Sequence, residues 1–202
     1  AGQTINGQAD DDTVHATGAQ LVGATIDGGT ETTADTLDIT STSANMNDAT
    51  SIVNFEYVTL SAPGTTFTAN GDDTLTIFGS TGGDTITLGH QSQNVNAGTG
   101  NDVIVATDAQ FDLLLTIDGG GETSADTLRI SDRATLADAG FATVVDVETL
   151  ELAYTGGTGT QSVTLADANA GVTGIATLDA DASIVAVTVN ASGLTSALAI
   201  FT

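Results

Sequence analysis

The stretch AGTGNDVIV, residues 97–105, sets Gly98, Gly100 and Asp102 directly before the apolar run Val103–Ile104–Val105, and GSTGGDTIT, residues 79–87, sets Asp84 before Ile86 in the same way. Both fit the nonapeptide pattern G-G-x-G-x-D-x-U-x, in which U is a large aliphatic residue. Glycine and asparagine suffice for a turn, so the aspartate needs a separate reason. Calcium takes about six to eight oxygen ligands at ~2.3–2.6 Å. A glycine-rich turn lets the backbone approach an ion and aim carbonyls at it. Side chains alternate between the two faces of a strand. Ile86 and Ile104 therefore point inward beside the turns, and each stretch reads as half an ion cage joined to one rung of core.

The two aspartates are two nonapeptide periods apart, at 84 and 102. The period between them, LGHQSQNVN at 88–96, keeps Gly89 and Val95 but carries Gln93 in place of the aspartate. TANGDDTLT at 68–76, with Asp73, and GQADDDTVH at 7–15, with Asp10 and Asp12, are looser copies. These copies resemble the calcium-binding RTX repeats of secreted bacterial proteins. The resemblance implies a right-handed parallel β-roll with two nonapeptides per turn, so that turns 18 residues apart stack on one side. It implies calcium between the stacked turns, held by Asp84 and Asp102 with backbone oxygens from Gly79, Thr81 and Gly82 and from Ala97, Thr99 and Gly100. The Gln93 turn would lie on the other side. Ser80 and Ala97 stand where the motif has glycine.

A second acidic pattern is duplicated. DGGTETTAD carries Asp27, Glu31 and Asp35, and DGGGETSAD carries Asp118, Glu122 and Asp126. Three carboxylates in so short a loop repel one another without a cation. The expected role is a second type of calcium loop, and the alternative is a solvated acidic turn between strands. NFE at 54–56 and DVE at 146–148 repeat a polar–apolar–Glu pattern, expected to form a side-chain ladder between coils, with calcium ligation as the alternative. His15 and His90 have no partner histidine or cysteine for a zinc site. No nucleophile-elbow, P-loop or zincin motif is present. No tryptophan and few aromatic residues are available to line a sugar cleft. The chain is expected not to be an enzyme.

These residues must be positioned by strands. Leu37-Asp38-Ile39, Val58-Thr59-Leu60, Leu75-Thr76-Ile77, Ile86-Thr87-Leu88, Leu128-Arg129-Ile130, Leu150-Glu151-Leu152 and Val163-Thr164-Leu165 alternate apolar with polar, the signature of a half-buried strand. Helical signal is confined to segments near 45–49 and 131–140. Of 202 residues, 26 are acidic and two are basic, giving a formal charge of −24. That charge argues against nucleic acid or an anionic membrane as partner. The hydrophobic content of 40% argues for a folded chain that needs counter-cations rather than for disorder. There is no cysteine, and no apolar run is long enough to span a membrane.

The sequence also repeats internally. TIDGGTETTADTLDIT at 25–40 recurs as TIDGGGETSADTLRIS at 116–131, VNFEYVTLS at 53–61 aligns with VDVETLELA at 145–153, and DTVHATGAQL at 12–21 aligns with DVIVATDAQF at 102–111. The expected organisation is an all-β, right-handed parallel β-solenoid of two diverged units, residues 1–92 and 93–202, continuous with each other. The expected function is a calcium-dependent structural module of a secreted bacterial surface-layer or extracellular filament protein, with an RTX adhesin module, ligand- or ice-binding, as the alternative. Expected partners are other copies of the chain, meeting head to tail between the strands of 184–202 and the first coil around 2–14. The chain opens without a signal peptide and reads as a mature segment or fragment of a longer protein.

Overall fold

Short runs of threonine alternating with aliphatic residues form strands, and glycine-rich turns wind those strands into a right-handed parallel β-solenoid. The computed structural model describes residues 2–30, 35–71, 74–111, 116–121, 125–156, 158–166, 174–181, 183 and 185–201. Asp73, Glu31 and Glu122 lie outside the described residues.

Four parallel sheets run along the solenoid. Sheet A stacks β1 (Thr4–Asn6), β3 (Thr25–Asp27) and β6 (Ser51–Val53). Sheet B stacks β2 (Thr13–Ala16), β4 (Thr36–Ile39), β7 (Tyr57–Leu60), β9 (Thr76–Phe78), β11 (Asn94–Asn96), β13 (Ile117–Asp118) and β16 (Val144–Val145). Sheet C stacks β5 (Ser43–Asn45), β8 (Thr66–Thr68), β10 (Thr85–Thr87), β12 (Val103–Ala106), β14 (Thr127–Ile130), β17 (Thr149–Leu152), β19 (Thr177–Asp179) and β21 (Ala199–Phe201). Sheet D stacks β15 (Thr135–Leu136), β18 (Thr160–Ala166) and β20 (Ala186–Gly193).

The register keeps like on like. Ile86 sits between Phe67 and Ile104 in sheet C, and Leu128 and Leu150 continue the column. In sheet B, Leu37, Val58, Ile77, Val95 and Ile117 do the same. These side chains are at most 2% exposed. Burying each one contributes about 1.5–3 kcal/mol. No coil could bury its rung alone, so stacking is what makes the core.

The number of sides changes along the molecule. Strands β1–β4 alternate between sheets A and B, β5–β7 run C, A, B, and β8–β12 alternate between C and B. Sheet D then enters at β15, between C and B in chain order, in the place that sheet A held earlier. The strand sequence A-B-A-B-C-A-B-C-B-C of β1–β10 recurs in β11–β20 as B-C-B-C-D-B-C-D-C-D. Every strand of the second set occupies the next side round from its counterpart.

Two single-turn helices mark where a new side begins. Helix α1 (Gly18–Leu21) follows β2 and packs on β5, the first strand of sheet C. A Cβ on Gly18 would lie 2.2 Å from the carbonyl oxygen of Ser43. Helix α2 (Asp108–Phe111) follows β12, and its Asp108 accepts a 3.1 Å bond from the Thr135 N–H, at the first strand of sheet D. Each is capped alike: Gln20 bonds the Thr17 N–H and Gln110 the Thr107 N–H, both at 2.8 Å. Threonine followed three residues later by glutamine is a capping-box signal. It was present at 17–20 and 107–110, where no helix was expected. The two expected helical segments hold 3₁₀ turns, at Met46–Asp48 and Asp138–Thr143. Among the described residues no helix is long and apolar enough to cross a membrane.

Candidate functional site: stacked carboxylates at the coil corners

The corner between sheets B and C is built from the turns that follow β9, β11, β13 and β16. Each turn ends on an acid one residue before a strand of sheet C: Asp84, Asp102, Asp126 and Glu148. The in-register pairing of those strands stacks the acids one coil apart. The backbone N–H of each residue donates to the carboxylate of the next coil. Thr65 bonds Asp84 at 2.5 Å, Asp84 bonds Asp102 at 2.6 Å, Asp102 bonds Asp126 at 2.8 Å and Asp126 bonds Glu148 at 2.8 Å.

The corner between sheets A and B repeats this device. Asp12 donates to Asp35 at 2.7 Å, and Asp35 donates to Glu56 at 2.9 Å. Asp12, Asp35 and Glu56 are the sequence counterparts of Asp102, Asp126 and Glu148. Glu56 and Glu148 thus form the expected side-chain ladder between coils.

Asp84 and Asp102 are brought together as their spacing indicated. Their turns lie backbone on backbone. The Thr99 N–H donates to the Ser80 carbonyl at 3.0 Å. A Cβ on Gly98, whose φ is +93°, would sit 2.3 Å from that same oxygen. One on Gly79 would sit 1.9 Å from the Ala97 carbonyl oxygen, and one on Gly100 2.6 Å from the carbonyl carbon of Gly82. Thr81 and Thr99 lie within the same two stacked turns.

Ser80, a departure from the motif, has a role of its own. Its backbone N–H reaches Asp84 Oδ2 at 2.6 Å, and its hydroxyl lies 2.9–3.0 Å from both carboxylate oxygens. Both oxygens of Asp84 therefore have protein donors. Ala97, the other departure, is fully buried.

The remaining acids have separate partners. Asp27, at the end of β3, accepts from the Asn54 side chain at 2.7 Å, while Asp35 is buried in the next corner. Asp118 accepts from Asn96 Nδ2 at 3.1 Å and from the Gly120 N–H at 3.0 Å, while Asp126 is buried in the ladder. Asp10 is exposed, with φ of +79°. His15 lies on the outward face of β2, where its Nδ1 is 2.6 Å from Asp38.

The turn before β11 is on the opposite corner, where sheet C returns to sheet B. Gln93 is fully buried there. Its Oε1 accepts from the N–H groups of Gly89 at 2.8 Å and His90 at 3.2 Å, and its Nε2 donates to the Asn70 carbonyl at 3.0 Å. No pattern search for acids points to this residue; its place in the nonapeptide period does.

Chemically, the acid corners offer oxygen donors alone, since the chain has no cysteine and the histidines lie elsewhere. That donor set suits a hard divalent cation such as calcium. Two like charges one coil apart, ~4.8 Å, repel by about 3.5 kcal/mol at an effective dielectric of ~20. Of the two arginines, Arg129 lies within β14 and bonds Glu151 at 2.8 Å, and Arg133 lies beyond the far end of that strand. Among the described residues no three acidic or histidine side chains converge on one point as a preformed metal cluster. No protein-family model, curated protein or solved structure matches the chain.

Proposed function

We propose that this chain is a calcium-dependent structural module of a secreted bacterial surface-layer or extracellular filament protein, and that it works without catalysis. The observation that carries this reading is the buried acid ladder: Asp35, Asp84, Asp102 and Asp126 are at most 1% exposed, and the whole chain has two basic residues. Peptide N–H groups satisfy part of each carboxylate but bring no net positive charge. Cations from solution supply the remainder, and extracellular calcium is the abundant source of the matching chemistry.

A solenoid ends in unpaired strand edges. In this reading the further coils that continue the stack are those of another copy. The adhesin alternative has less support. An ice-binding face needs a flat threonine array. Thr66, Thr85, Thr127, Thr149 and Thr177 share a column in sheet C, but Val103 breaks it between Thr85 and Thr127, and the neighbouring column carries Arg129, Glu151 and Asp179.

The test is far-UV circular dichroism and light scattering of the purified chain in EDTA and in millimolar calcium. The expected result is a poorly ordered chain in EDTA that folds, and then associates, with calcium. A site at 100-fold its Kd adds about 2.7 kcal/mol, so a few sites suffice to decide folding. Identical spectra and a monomer in both buffers would overturn the reading.

A further inference from the structure

The nonapeptide corner is where the sequence points, yet Asp84 already has a protein donor on each of its carboxylate oxygens. Two buried carboxylate oxygens that make no hydrogen bond lie on consecutive coils of the other ladder, Asp12 Oδ2 and Asp35 Oδ2. The two residues lie on consecutive coils, joined by the 2.7 Å bond from the Asp12 N–H to Asp35 Oδ1 and by the Thr13–Thr36 register of β2 and β4. Asp35 is fully buried.

Both aspartate side chains pack against the glycine that opens their turn, Asp12 through its carboxylate and Asp35 through its Cβ. A Cβ on Gly7 would lie 2.5 Å from Asp12 Oδ2 and 1.9 Å from the Gly28 carbonyl oxygen. A Cβ on Gly28 would lie 3.1 Å from Asp35 Cβ and 2.0 Å from the Asn54 carbonyl oxygen. Glycine at positions 7 and 28 lets the carbonyl oxygens of Gly28 and Asn54 approach beside the two aspartates.

We propose that Asp12 and Asp35, with the backbone carbonyl oxygens of Gly28 and Asn54, hold a calcium-class divalent cation, and that it is held here more tightly than at Asp84. The inference rests on the calcium reading above and assigns its principal site. A cation here meets two carboxylate oxygens with no competing donor, whereas at Asp84 it must displace the Ser80 and Thr65 bonds. Water completes a coordination shell of about six to eight oxygens.

Tyr57 gives the site its own reporter. It is the first residue of β7, its N–H lies 3.1 Å from the Asp35 carbonyl oxygen, and the chain has only one other tyrosine and no tryptophan. Terbium, a luminescent surrogate for calcium, is excited through a nearby tyrosine ring. Tyr57→Phe is expected to remove most tyrosine-sensitised terbium emission, and Tyr154→Phe to leave it unchanged. In calorimetric titrations with calcium chloride, Asp35→Asn is expected to weaken the tightest binding at least tenfold, and Asp84→Asn to change it less than twofold. Tyrosine substitution leaves both acid ladders intact, so the luminescence arm stands even where Asp35→Asn fails to fold. Emission carried by Tyr154, or tight binding lost in Asp84→Asn and kept in Asp35→Asn, would overturn this assignment while the calcium reading stands. Absence of both calcium heat and terbium emission in the unmutated chain would overturn both.

Discussion

The turn that ends on Asp84 and the turn that ends on Gln93 occupy the same place in successive nonapeptide periods, at opposite corners of the solenoid. Both side chains are buried, and both gather the N–H groups of their own turn. Gln93 takes two of them with Oε1 and spends its Nε2 on the Asn70 carbonyl of the coil below, so its corner closes as a neutral network. Asp84 only accepts. It collects donors from Ser80 and Thr65 and leaves a full negative charge inside the molecule, directly beneath that of Asp102. An amide completes a turn by itself, whereas a carboxylate in the same position makes the turn depend on something outside the chain.

That contrast can be broken or sharpened by substitution, with stability read from urea unfolding in saturating and in limiting calcium. The largest effect is expected from Asp84→Ala, which strips the acceptor from the buried Thr65 N–H and from Ser80. A loss of roughly 3 kcal/mol follows from leaving such donors unsatisfied. Gln93→Ala removes three bonds from the opposite corner and is expected to cost about 2 kcal/mol. Its cost should be the same in both buffers. A calcium-dependent cost at Gln93 would erase the distinction between the corners. Gln93→Glu keeps the acceptor, loses the donor to Asn70 and adds a charge. About 1–2 kcal/mol is expected, greater in limiting than in saturating calcium, because the substitution turns a self-contained corner into a dependent one. The smallest effect is expected for Ser80→Ala, which keeps the backbone bond to Asp84 and removes the hydroxyl, for about 1 kcal/mol or less. An Asp84→Ala variant as stable as the unmutated chain would remove the ladder's claim to any structural role.

Much of this architecture was legible in the residues. The period-two stretches at 37–39, 58–60 and 150–152 lie within strands, that at 86–88 overlaps β10 but runs one residue past its end, and the 84-to-102 spacing is the register of β10 on β12. Leu37, Ile86 and Ile104 are buried because alternation in a strand leaves them no other face. Glu56 and Glu148 were legible as a ladder because they recur at matching places in the two copies.

Other features were not legible. The partner of each carboxylate is a backbone N–H one coil away, between 18 and 24 residues off in sequence, and coil length varies with the number of sides. No local pattern states how many sides a given coil has. Asp27 and Asp35 look alike in a nine-residue loop, but the first ends a strand with its side chain outward and the second sits inside a corner. Turn composition does not distinguish those outcomes. The helices at 18–21 and 108–111 are a single turn each, too short for a period of 3.6 to register.

The step of one side between β1–β10 and β11–β20 has a consequence for recognition. A duplicated sequence ordinarily offers a partner two equal handholds, and a rigid partner gripping both gains avidity when its own sites match their span. Here the handholds do not share a side. The surface of sheet A around β3 has its counterpart on sheet B around β13, and that of β5 on sheet C has its counterpart at β15 on sheet D. A flat partner that engages one copy head-on meets the other only obliquely. Doubling the unit has therefore lengthened the solenoid without making it bivalent toward a single planar surface. Two-point binding would require a partner that wraps around the molecule, or two partners approaching from different directions.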